Sequence, residues 1–223
     1  MPLPSRHVPA RIDFVDTVYR MMVDAITDGS LAPGERITQE EIAEQLHVSR
    51  SPVLQALRLL KKDGLIEDAP GRGIQVAPLD PDGVGHLYDV RGALDALATR
   101  LAARAGAVID PALIRRGRER SAQGELKAMI DADMAFHQAI YEASGNGLIA
   151  QTASPYWMHI RRVMGAVLRG AGHRSTIWEE HEAIAQAIQA RDEALAVELS
   201  NRHISVAKDN LVRQLRDALA RAA

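Results

Sequence analysis

The chain has 223 residues, 47% of them hydrophobic, 4% aromatic and 25% charged, with a formal net charge of −2. That length holds two modest domains, and the Ala-, Leu-, Arg- and Glu-rich composition favours helices. With no cysteine, disulfides and thiolate metal sites are excluded, so any metal must use His and carboxylate ligands. No run of about 18 apolar residues is present, and MPLPSRHVPARIDF has no apolar leader core, so a cytoplasmic protein without a membrane span is expected.

Phe14, Val18, Met21, Met22 and Ile26 follow helical spacing and predict a first helix over 12–28, ended by Asp28-Gly29-Ser30. After a Pro33-Gly34 turn, Thr38 and Glu41 fit a capping box that opens a short helix, Gln39–Leu46. His47-Val48 is read as a tight turn. Ser49 then caps a third helix, with Pro52 in its first turn and Gly64 as its stop. Two β-prone runs, Leu65-Ile66-Glu67 and Ile74-Gln75-Val76, flank a loop rich in turn formers and predict a hairpin. Helix, helix–turn–helix and hairpin in this order make a winged helix–turn–helix domain, residues 1–78. A linker at 79–82 leads to an all-helical antiparallel bundle, residues 83–223, so the fold class is mainly α. Its helices are expected near 83–105, 111–121, 124–143, 147–170, 175–190 and 192–220, with Pro155 kinking the fourth.

A helix–turn–helix reads DNA through the N-terminal side chains of its second helix, which enter the major groove. Here these are Ser49, Arg50 and Ser51, with Arg50 placed to donate two hydrogen bonds to a guanine edge. Arg58 lies further along the helix, and Gly71-Arg72-Gly73 puts a cation at the wing tip within reach of phosphate or the minor groove. Residues 1–78 hold 9 Lys and Arg against 11 Asp and Glu, so the basic groups must be gathered on one face. The run PGERITQEEIAEQLHVSRSPVLQALRLLKKDGLIEDAPGRGIQV resembles the DNA-binding domain of the GntR family of bacterial regulators. The resemblance implies a dimer on a palindromic operator of double-stranded DNA, contacted by Arg50 and by the wing. Three positions depart from the family pattern: Leu54 and Glu40 stand where family members place arginines, and His47 replaces the usual turn glycine, which implies a positive φ there.

In the bundle, Asp133 and His137 are spaced i and i+4 on one helix face, His181 sits on the fifth helix and His203 on the sixth. Antiparallel packing of the last two helices would bring three imidazoles and one carboxylate together, a donor set that suits zinc, nickel or manganese. A lone histidine is usually a surface or satisfied core residue, and His7, His86, His159 and His173 are read that way. The segments HLYDVRGALDALATRLAA, DADMAFHQAIYEASGN, EEHEAIAQAI and NRHI resemble the FCD effector domain of the FadR-type branch of GntR regulators. The resemblance implies Asp133, His137, His181 and His203 as ligands of a divalent metal, zinc first. It also implies a small carboxylate effector beside that metal. Arg91 is the first choice to orient the carboxylate and Arg161 or Arg162 the next; Asn146 is expected to cap a helix or to touch the ligand. The arginines at 115, 116, 118 and 120 are read as a solvated face. The expected function is a ligand-responsive repressor and not an enzyme. A metal-dependent hydrolase on the helical domain, or a regulator with a purely structural metal, are the alternatives.

Overall fold

The computed structural model describes residues 14–71, 73–168 and 176–222. Spatial contacts divide them into two compact units. One holds Ser30–Ala77 together with the described residues up to Ile26, and the other holds Thr27–Gly29 and the chain from Pro78.

The first unit contains α1 (Phe14–Asp28), β1 (Arg36–Ile37), α2 (Gln39–Gln45), α3 (Arg50–Lys62), β2 (Ile66–Asp68) and β3 (Ile74–Val76). α1 buries Val18, Met22 and Ile26, one residue per turn, while Phe14 and Met21 stay about half exposed. α2 opens on the expected capping box, in which the Thr38 side chain accepts from the Glu41 N–H and the Glu41 carboxylate accepts from Thr38 N–H at 2.9 Å. His47 adopts φ 52, the left-handed conformation that the turn requires. Ser49 occupies the N-cap of α3, yet its side chain makes no capping hydrogen bond. α3 buries Val53, Ala56, Leu57 and Leu60 and presents its opposite face to solvent. The wing is an antiparallel sheet of order β1-β3-β2. β1 escaped the sequence reading because two residues are too few for an alternation to register.

The second unit contains α4 (Pro81–Ala105), α5 (Pro111–Gln123), α6 (Leu126–Ala143), α7 (Gly147–Val167), α8 (Ile177–Gln189) and α9 (Glu193–Ala222). Asp80 caps α4 and Pro81 is its first residue, so the last two residues of the expected linker already belong to the helix. α4 and α9 run antiparallel. Their ion pairs Asp82–Arg216 (2.8 Å), Asp89–Lys208 (2.5 Å) and Arg104–Glu193 (3.0 Å) descend one helix as they climb the other. α5 approaches α8 so closely that a Cβ at Gly117 would collide with the Trp178 ring. α7 continues unbroken through Pro155. Pro155 and Gln151, whose carbonyl loses its helical donor there, are both exposed to water. Phe136, Tyr141, Trp157, Ile160, Trp178 and Ile184 are buried in the core around which these helices pack.

Candidate nucleic-acid interface and candidate metal centre

Ser49, Arg50, Ser51 and Arg58 are all exposed on α3, and Arg50, Leu54 and Arg58 recur every four residues along one face. Two contacts tie the start of α2 to the start of α3. Gln39 Nε2 donates to the Arg50 carbonyl at 2.7 Å, and Glu40 Oε1 lies 3.1 Å from an Arg50 guanidinium nitrogen. Both side chains of that ion pair are largely exposed, 68% for Arg50 and 50% for Glu40. Leu54, 41% exposed, puts an isobutyl group one turn beyond Arg50. At the wing tip, Gly71 and Gly73 take φ near +94 and +93, a conformation that favours glycine. Arg72 between them lies outside the described residues, as do His7 and His173.

The bundle brings Asp133 and His137 of α6, His181 of α8 and His203 of α9 to one buried point, with one ligand atom from each within 4.8 Å of all the others. His181 Nε2 lies 3.3 Å from His203 Nε2 and 3.4 Å from Asp133 Oδ1. Two carboxylates back this set from behind. Glu180 Oε2 is 2.7 Å from His203 Nδ1, and Asp95 Oδ2 is 3.3 Å from His137 Nδ1. A carboxylate on Nδ1 fixes the tautomer that leaves Nε2 as a lone pair, the arrangement of a ligating histidine. Among the described residues, His137 Nε2 and Asp133 Oδ1 are buried without a hydrogen-bond partner. Buried polar atoms are ordinarily satisfied, so convergent orphan lone pairs fit a cation. Burial, followed by the nearby Arg91 charge, holds His137 below the usual imidazole range, which keeps it in the neutral form that ligation needs.

Arg91 of α4 stands next to this cluster and is 2% exposed. Its Nε lies 3.3 Å from Asp95 Oδ2, and its guanidinium carbon sits 3.8 Å from the centre of the Trp157 ring. Its Nε and Nη2 have no hydrogen-bond partner among the described residues. Burial opposes charge on both Arg91 and Asp95, but their mutual attraction prevails. Arg91 is held above the ordinary guanidinium range and Asp95 is pulled down to about 2. The Tyr141 hydroxyl donates to Asp95 Oδ1 and accepts from Trp157 Nε1 at 3.2 Å.

Of the remaining expected residues, Asn146 and Arg161 have partners of their own. The Asn146 side chain accepts from Leu148 N–H, so it caps α7. Arg161 pairs with Asp131 at 3.0 Å, outside the four-residue set, whereas Arg162 is buried. Arg115, Arg116, Arg118 and Arg120 are exposed, with Arg118 on Glu182 at 2.6 Å. Asp95, Glu180 and Tyr141 were not anticipated. Arg91 and Asp95 are spaced i and i+4 with opposite charge, and Glu180 precedes His181 directly; these were the available signals.

A family model described as "FCD domain" matches residues 86–206, and one described as "Bacterial regulatory proteins, gntR family" matches residues 14–76. The chain is 28% identical over 201 residues to an HTH-type transcriptional regulator in unstable DNA locus of Streptomyces ambofaciens, covering 88% of this chain and 84% of the relative. It is 29% identical over 223 residues to the Glc operon transcriptional activator of Escherichia coli (strain K12), covering 88% and 86%. The solved structure of E. coli McbR/YncC matches 92% of this chain and 99% of its own with a TM-score of 0.77 at 20% identity, a likeness of fold. Among the described residues, no helix is long and apolar enough to cross a membrane.

Proposed function

The chain belongs to the gntR family of bacterial regulatory proteins and carries an FCD domain, and on that premise we propose that it is a dimeric, ligand-responsive repressor that senses a small organic acid beside a divalent metal. It is a transcription regulator and not an enzyme, which removes the hydrolase alternative. The finer reading is carried by one observation: four metal-type ligand atoms within 4.8 Å of one another, beside a buried arginine with an unsatisfied Nη2.

Asp133, His137, His181 and His203 would hold the metal, with zinc the first choice for three imidazoles and one carboxylate and nickel or manganese suited to the same set. When bound, the cation would supply a Lewis-acidic position for a carboxylate oxygen. Arg91 carries a charge that water does not solvate, and its planar fork matches a carboxylate. One further feature favours an anionic ligand: the guanidinium is buried against Trp157. The protein would act in the cytoplasm, as a two-fold dimer whose α3 helices enter successive major grooves of a palindromic operator. Ser49, Arg50, Ser51 and Arg58 would contact DNA from α3, and Gly71 and Arg72 from the wing.

Ligand binding must favour one placement of the paired DNA-binding domains over another, and repression is the output that needs no further contact with polymerase. The test is in vitro transcription from a promoter bearing a selected operator. Wild type, chelator-treated wild type and H137A are each assayed with and without a panel of small carboxylic acids. Repression by wild type that one of the acids modulates, and that chelation and H137A make unresponsive, is the expected result. Modulation that survives both treatments would reduce the metal to a structural role.

A further inference from the structure

Asp95 touches both halves of the proposed sensor. Its carboxylate, 2% exposed, lies with Oδ2 3.3 Å from Arg91 Nε and 3.3 Å from His137 Nδ1, while Oδ1 accepts from the Tyr141 hydroxyl. Tyr141 is held in turn by Trp157, whose ring packs against the Arg91 guanidinium. Asp95, Arg91, Trp157 and Tyr141 thus close a ring of contacts, and His137 joins it through Oδ2 and through ring packing on Trp157.

We infer that Asp95 is a positioning residue that couples carboxylate binding at Arg91 to the readiness of His137 to ligate. The inference rests on the metal and effector reading above and adds how the two parts communicate. Oδ2 lies 3.3 Å from both a guanidinium and an imidazole nitrogen without a hydrogen bond to either, so attraction to one partner weakens its hold on the other. A planar Arg whose Nε faces Asp95 at ion-pair distance, and whose Nε and Nη2 both lack a hydrogen-bond partner among the described residues, has donors left for an anion. A carboxylate arriving on that fork draws Arg91 away from Oδ2. Oδ2 then accepts from His137 Nδ1–H alone, and the Nε2 lone pair is held more firmly toward Asp133, His181 and His203. The coupling is positive. By linkage it is also reciprocal, so a metal that draws on His137 makes Arg91 a better anion site.

The experiment uses full-length protein and two probes, zinc alone and acetate as the minimal carboxylate. Zinc affinity is measured by competition with a chromophoric chelator, with and without saturating acetate, for wild type, D95N, R91M and H137A. Circular dichroism monitors the fold. In wild type, acetate should raise zinc affinity about tenfold, at the lower end of the range for coupled sites. In D95N, zinc affinity should fall about 10- to 100-fold, as when a ligating histidine loses its carboxylate, and the acetate effect should shrink below about twofold. R91M should bind zinc at least as well as wild type but without an acetate effect, because Oδ2 is no longer shared.

D95N with wild-type zinc affinity and a wild-type acetate effect would overturn the inference while leaving the metal reading intact, provided H137A has lost zinc. H137A that binds zinc like wild type would overturn both. Should D95N fail to fold, R91M decides: loss of the acetate effect with zinc binding preserved supports the coupling, and retention of that effect overturns it.

Discussion

Two of the molecule's arginine–carboxylate pairs have nearly equal length and opposite settings. Arg50 and Glu40 meet at 3.1 Å with side chains 68% and 50% exposed, whereas Arg91 and Asp95 meet at 3.3 Å with side chains 2% and 3% exposed. In water the first pair is worth between nothing and about 1 kcal/mol, because solvent competes for both groups. It can be exchanged for a DNA contact at little cost, which suits a surface that must also release its partner. The second pair is shielded, so each charge depends on the other, and any anion that enters must compete with Asp95 for Arg91. Burial turns one and the same contact from a loose tether into a discriminating one.

The largest predicted difference follows directly. D95N leaves a guanidinium buried without a counter-charge and should cost the metal-free protein about 3–5 kcal/mol of unfolding free energy, whereas E40Q should stay within about 0.5 kcal/mol of wild type. Urea melts in chelator measure both. Equal losses would show that the two pairs are energetically alike and break the comparison. Next in size is R50A, which should weaken binding to a selected operator by about 1–3 kcal/mol, the worth of one bidentate base contact. Zinc affinity should be unchanged in the same protein. Operator affinity comes from anisotropy titration, and a wild-type value for R50A would remove Arg50 from the reading surface.

The buried region should also respond to pH. Burial first, and Arg91 second, lower the folded-state value of His137, so below about 6.5 the unfolded chain binds a proton that the folded chain refuses. The stability is present above that value and is lost as pH falls through it, with a limiting slope of about 1.4 kcal/mol per pH unit. Asp95 adds nothing in that window, because its folded-state value of about 2 lies below its ordinary one. Its contribution is lost only as the solution is acidified from about 4 toward 2. Melts of the chelator-treated protein at pH 7 and 5.5 are the check. A flat profile would mean that His137 charges freely and that its surroundings resemble solvent.

How much of this was legible in the sequence differs between the two regions for a physical reason. Local signals wrote the first unit: the Thr38–Glu41 box, the positive-φ turn at His47 and the stop at Gly64 act within a few residues of themselves. Two readings there failed: Ser49 makes no capping hydrogen bond, and β1 was missed because its two residues gain meaning only by pairing with Gln75 and Ile74 of β3. In the bundle, side-chain chemistry and helical spacing suggested the four ligand types, but the support behind them was not readable. Whether Asp95 meets His137, 42 positions away, depends on how α4 packs on α6, which no local pattern encodes. Arg161 and Arg162 illustrate the same limit, adjacent in sequence and alike in chemistry, yet one reaches Asp131 near the surface while the other is buried.

The smallest effect probes the exposed pair itself. Glu40 places a carboxylate beside Arg50 on the face proposed to approach phosphates, where it would oppose binding through its own charge and by occupying the guanidinium. E40Q removes the charge and keeps the shape and the hydrogen-bonding oxygen. Non-specific binding to a random-sequence duplex should tighten about two- to fivefold at low salt, matching the modest worth of an exposed pair. The gain should shrink as the salt is raised, because screening weakens exposed charges first. Anisotropy titrations at about 50 and 200 mM salt separate these cases. If E40Q instead weakens binding at both salts, Glu40 positions Arg50 for the groove rather than restraining it. The exposed pair would then be a preorganised element like its buried counterpart, despite its exposure to water.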